Sequence, residues 1–168
     1  MKAKICKVCA LSNIFCSQCL EKFEKGILNP MEVEIAKYLY EVEEKYKEIK
    51  NISLEEVSGV ANDNLIVVVT SPQTLNPLLV ATLSKYLSNK SGKNVKIVEK
   101  TKDIKRFISQ IFYPAKISSL NQVWLPEGSY EYNIKINKEE ALKLNIDIKE
   151  IEKVISKFLS TNVRITID

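Results

Sequence analysis

The sequence contains no histidine. That absence removes imidazole acid–base catalysis, Ser-His and Cys-His nucleophile pairs, and every zinc site that needs an imidazole. Most hydrolase chemistries fall with it. No apolar run reaches the length, about 18 residues, that a membrane-spanning helix needs. The stretch from Met1 to Ala10 lacks the apolar core of a signal peptide. No membrane association is expected, and the expected location is cytoplasmic. Glycine is scarce, at four in 168 residues, which leaves little room for flexible linkers. Arginine is scarcer still: of 25 cations only Arg106 and Arg164 are arginines. Lysine is a point charge without the planar fork that reads base edges. Such a chain is better equipped to hold phosphates than to spell a base sequence.

What is present is ordinary for a globular chain, with 45% apolar and 27% charged residues. The length fits one domain or two very small ones. The 25 cations exceed the 21 acids by four, but the excess is not spread evenly. Residues 31–51 sum to −2 and residues 52–83 to −3, whereas residues 1–26 sum to +3. Residues 84–106 hold Lys85, Lys90, Lys93, Lys96, Lys100, Lys102, Lys105 and Arg106 against Glu99 and Asp103, a net of +6. A concentration of this kind is an electrostatic footprint for a polyanion, set against the plainer reading of a solvated lysine face.

All four cysteines lie within the first 19 residues, as Cys6-x-x-Cys9 and Cys16-x-x-Cys19. A Cys-x-x-Cys turn brings two thiolates onto one tetrahedral ion, and two such turns close a four-thiolate site. A closed site is structural, because it keeps no position open for water. The expectation is one structural zinc held by Cys6, Cys9, Cys16 and Cys19. Two disulfides or a redox pair are the alternatives, disfavoured in a short segment with no export signal. Four thiolates and one Zn²⁺ reduce the N-terminal charge to about +1, so this knuckle is not strongly basic.

Asn29-Pro30 reads as a helix start, and Ile35, Leu39, Val42, Tyr46 and Ile49 extend one apolar seam, predicting a helix over 30–50. The β-branched run Leu65–Thr70 predicts a strand, paired with Glu56–Val60 through a turn at Asn62-Asp63-Asn64. Asn76-Pro77 starts another helix that ends at Gly92, followed by a strand over 95–98. The pattern then recurs: a helix over 103–112, strands about 115–125 and 130–136 around Pro126-Glu127-Gly128-Ser129, helices over 138–143 and 148–160, and a strand over 162–167. The closing strands resemble each other, Asn94-Val95-Lys96-Ile97 beside Asn162-Val163-Arg164-Ile165. On the first of them, Val95 and Ile97 are expected inward, with Lys96, Val98 and Lys100 on the outer face. Each half reads as α-β-β-α-α-β, an α+β class.

Several stretches carry a family resemblance: the two Cys-x-x-Cys turns, the helix from Met31 to Lys45, Gly92–Lys100, and Phe107-Ile108 leading to Pro114-Ala115-Lys116. With them the chain resembles the archaeal NusA-like KH proteins that carry an N-terminal four-cysteine zinc knuckle. The resemblance implies a knuckle over 1–28 and two tandem type II KH-like modules over 29–101 and 102–168. It implies RNA binding linked to transcription or RNA handling; a chain that holds phosphates rather than spelling bases suits structured RNA in a large assembly, the ribosome or a transcribing RNA polymerase. KH modules grip nucleotides with a GxxG loop, where glycine lets the backbone approach phosphate. The matching positions are Leu78-Leu79-Val80-Ala81 and Asp147-Ile148-Lys149-Glu150, and neither contains glycine. Structured RNA held through lysine–phosphate contacts is therefore the expected ligand, with a protein-docking scaffold as the alternative. No catalytic residue is expected; Glu139 and Glu140 read as the acidic first turn of a helix. Trp124 is expected in the core rather than stacked on a base, and Phe112 and Tyr113 as packing residues.

Overall fold

The computed structural model describes residues 1–59, 64–71 and 76–168. Among them the chain is α+β, with seven α-helices and two three-stranded sheets. The helices are α1 (Lys7–Ser12), α2 (Ser17–Glu24), α3 (Pro30–Val42), α4 (Pro77–Ser91), α5 (Ile104–Phe112), α6 (Lys138–Ala141) and α7 (Ile148–Leu159). The strands are β1 (Leu54–Gly59), β2 (Leu65–Thr70), β3 (Asn94–Glu99), β4 (Ile117–Trp124), β5 (Tyr130–Ile136) and β6 (Val163–Ile167). The chain divides into two compact units: Met1–Ser58 with Ile66–Lys100, and Gly59–Leu65 with Thr101–Asp168.

In the first unit α3 begins as its sequence dictates. The Asn29 side chain accepts the Glu32 backbone N–H at 2.8 Å, and the Glu32 carboxylate accepts the Asn29 N–H at 3.1 Å. Together with Pro30 at the first helical position this closes a capping box. Ile35, Ala36, Leu39 and Tyr40 then face the core. The helix expected over 30–50 stops at Val42, and a 3-10 helix over Lys47–Asn51 carries Ile49 inward instead. Glu43 marks the break. Its buried carboxylate takes Lys7 Nζ at 2.8 Å and the amino group of Met1, partners that a continuing helix does not require. The core of this unit joins Ile5, Cys9, Ala10, Cys19 and Leu28 to the α3 face and to Ile66, Val68, Leu83, Leu87, Val95 and Ile97. Residues 1–28 therefore share one apolar cluster with α3, α4 and the sheet, and position 28/29 is no break in packing.

The sheet of this unit runs β1-β2-β3, and one helix, α4, is described between β2 and β3. The described residues hold one helix there, where the α-β-β-α-α-β reading has two, and the turn residues Asn62 and Asp63 lie outside the described residues. Leu78–Ala81 form the first turn of α4 rather than a loop, with Leu78 73% exposed. Gly92, at φ 69°, ends α4 in the left-handed conformation that glycine adopts without strain.

The second unit has the order α5-β4-β5-α6-α7-β6. β4 pairs antiparallel with β5, with Trp124 opposite Tyr130 and Leu120 opposite Ile134. β5 pairs parallel with β6, with Ile134 opposite Ile165, so α6 and α7 form the crossover that a parallel pair requires. Ile151, Val154 and Ile155 of α7, at helical spacing, are buried, as are Phe107, Ile108, Ile111 and Phe112 of α5. Phe107 meets Phe158 edge-on at 5.6 Å. Asp147 is the N-cap of α7, accepting the Lys149 N–H at 2.9 Å. The positions matched to a second phosphate loop are thus a helix start. Two packing expectations fail. Tyr113 is exposed, and Trp124, beside the turn that closes the β4–β5 hairpin, is 67% exposed against the ring of Tyr130.

Candidate metal centre and cationic segment

Cys6 and Cys16 occupy the same structural position, the N-cap of α1 and of α2, each with extended backbone. Cys9 and Cys19 follow three residues later inside the first helical turn, buried. A helix start thus aims its free N–H groups at the sulfurs. The backbone N–H of Cys9 lies against the Cys6 sulfur and holds that thiol below its ordinary pKa. The N–H of Cys19 acts likewise on Cys16, which is lowered to about 7. The Cys16 N–H donates to Cys9 Sγ at 3.1 Å, which favours the Cys9 thiolate. Hydrogen bonding to Cys6 and burial outweigh that donor and push Cys9 up to about 12. Burial also raises Cys19.

All four sulfurs lie within 4.8 Å of one another, and none is in a disulfide. Metal–sulfur bonds of about 2.3 Å to a tetrahedral ion place sulfurs about 3.8 Å apart, so a small inward movement completes the site. The donor set can hold a metal ion. Four thiolates fill a tetrahedron, so such a centre braces the fold and presents no open position.

The eight cations of residues 84–106 are not equivalent. Lys85, Lys102, Lys105 and Arg106 are exposed and Lys93 is half-buried. Lys90 sits 3.7 Å from Glu41 and over the ring of Tyr86, while Lys100 lies 3.5 Å from Glu55. Lys96, expected beside Lys100 on an open strand face, is half-buried, and burial lowers its pKa. Val98 on that face is buried outright, which explains why the face is not a simple lysine ridge. Charge counting finds the cations; it misses the acids of β1 and α3 that tertiary folding brings to two of them.

No protein-family model matches the chain, and no curated protein matches it. The fold itself recurs. Among solved structures, 71 chains match, and one of them is described as the crystal structure of APE1850. It aligns with a TM-score of 0.53 at 20% identity, covering 79% of this chain and 96% of that one. The likeness shows a shared fold. No helix among the described residues is long and apolar enough to cross a membrane.

Proposed function

We propose that this protein is a non-enzymatic, NusA-like RNA-associated factor with one structural zinc and two KH-like modules. The observation that carries the reading is the second unit. Its α-β-β-α-α-β order, with an antiparallel pair, a parallel pair and two helices crossing between the parallel strands, is the arrangement a type II KH module would have. The four glycines are Gly26, Gly59, Gly92 and Gly128, so neither crossover supplies a glycine loop for phosphate. Affinity then falls to lysine–phosphate contacts, which position RNA without reading its bases. Lys85, Lys93, Lys102 and Lys105 are the cations suited to that task. Lys90 and Lys100 first have to leave Glu41 and Glu55. Structured RNA within the ribosome or a transcribing polymerase suits a protein that reads shape.

A protein-docking scaffold is the second reading, favoured by one observation. Val8 and Ile14 are 74% and 75% exposed, and Leu11, Leu20, Phe23 and Ile27 of the same short segment are also exposed. Large apolar side chains in water around a metal centre mark a protein contact.

One experiment separates the two. Lys85, Lys93, Lys102 and Lys105 are changed together to Gln, and binding to structured RNA and to the native ribonucleoprotein is followed against salt. The RNA reading expects weaker binding and a shallower salt dependence, in proportion to the phosphates no longer neutralised. Unchanged binding with unchanged salt dependence would transfer the function to the apolar surface around Val8 and Ile14.

A further inference from the structure

We infer that the outer edge of β4 is a self-association surface, pairing antiparallel with β4 of a second copy of this chain. This goes beyond the RNA reading and does not depend on it. The two sheets have four edge strands, β1, β3, β4 and β6. A bare strand edge is a template for another strand, and proteins blunt it with charged side chains or a cover. Three of the four edges are blunted. β1 carries Glu55 and Glu56, β3 carries Lys96 and Glu99, and β6 carries Arg164. The last two are also covered by their preceding helices. Ser88 of α4 accepts the Val95 N–H at 2.9 Å, Ser156 of α7 accepts the Val163 N–H at 3.0 Å, and Glu152 accepts the Ile165 N–H at 2.6 Å.

β4 has no such device among the described residues. It is the longest strand, at eight residues, and carries no charge and no proline. Asn121, Gln122, Val123 and Trp124 are all exposed. Residues 117–134 hold no lysine or arginine, although the chain has 25 cations. That neutrality selects the occupant. When a strand pairs with its own copy about a two-fold axis, a side chain near the axis faces itself or a near neighbour, so a charge there meets its like across the axis. A different partner tolerates charge and commonly exploits it. A two-fold near Asn121 and Gln122 sets amide against amide, and an amide both donates and accepts. The polyanion proposed for the lysines is a poor occupant, since residues 117–134 offer Glu127 and Glu131 and no cation.

Trp124 is the only tryptophan, so its emission reports on this edge alone. The full chain is measured by sedimentation equilibrium and Trp124 fluorescence over a dilution series spanning three decades. The expected result is a mass rising from one chain to two, with a blue shift of Trp124 over the same range. Asn121→Lys, and separately Gln122→Lys, should remain one chain throughout while keeping the circular dichroism and melting profile of the dilute parent. Ser129→Lys adds the same charge in the turn, off the strand, and should associate as the parent does. A parent that is one chain at every concentration overturns the inference. So does association of Asn121→Lys and Gln122→Lys equal to that of the parent, which would place the interface elsewhere.

Discussion

The hydroxyl of Ser156 accepts the backbone N–H of Val163 at 3.0 Å, and Ser88 does the same for Val95 at 2.9 Å. Donor and acceptor are seven residues apart in both cases, and the two bonds are 68 positions apart. The similarity between the closing strands β3 and β6 is therefore structural as well as textual. Val95 and Val163 are both buried, so each N–H depends on its serine. Ser88→Ala and Ser156→Ala should each cost about 1–3 kcal/mol, the range for stranding a buried donor. Chemical denaturation checks this. A loss well below that range in both would mean that water replaces the hydroxyl.

The helices before these strands end alike, but with different residues. Gly92 has φ 69° and Ser160 has φ 50°, both left-handed. Glycine adopts that conformation without strain and serine does not. Ser160→Gly should stabilise by about 0.5–1 kcal/mol, and Gly92→Ala should destabilise by a similar amount. A Cβ at Gly92 meets nothing within 4 Å, so the second change isolates the backbone effect. Equal melting temperatures for parent and both variants would contradict the argument.

Metal content and the first unit's stability should be coupled. Cys9 and Cys19 belong to the same apolar cluster as Leu39 of α3 and Leu83 of α4. Cys16→Ser should release the metal and lower hydrogen-exchange protection in α3 as well as in residues 1–28. Elemental analysis of the parent should give one zinc per chain. Substantially less under conditions that prevent loss defeats the zinc assignment, and protection lost only before residue 29 defeats the coupling.

Glu43 links α3 to the first residues of the chain. Burial opposes its ionisation, but hydrogen bonds from Lys7 and the Met1 amino group outweigh burial and hold its carboxyl below the ordinary range. A depressed folded-state pKa contributes stability above the unfolded value, near 4.5, that is lost as pH falls through the folded one. Glu43→Gln should therefore be less stable than the parent at neutral pH. The difference should narrow once the pH falls below the unfolded value. Paired denaturation curves across that range test the sign, and a gap that widens on acidification refutes it.

The local elements are readable from sequence because local signals decide them. Asn29-Pro30 and Asn76-Pro77 start helices by supplying an acceptor and a fixed φ, and the run Leu65–Thr70 can only be a strand at that length. The cysteine cluster is readable too, because both Cys-x-x-Cys turns use the same helix-start geometry. Sequence also carries the charge excess of residues 84–106 and the absence of glycine from Leu78–Ala81 and Asp147–Glu150.

Partners distant in the chain are not readable. Glu43 meets Lys7, Lys100 meets Glu55, and Lys90 meets Glu41, over separations that no periodicity encodes. Trp124 has the sequence surroundings of a core residue because Val123 and Leu125 flank it. Burial of an aromatic depends on what the fold lays over it, and strand order leaves this one near the end of an edge hairpin. Neighbours in the chain are enough to set the elements, the clustering of the four cysteines and the location of the charge. Which lysines stay exposed and which strand edge stays bare is settled in three dimensions, because both depend on what folding brings alongside.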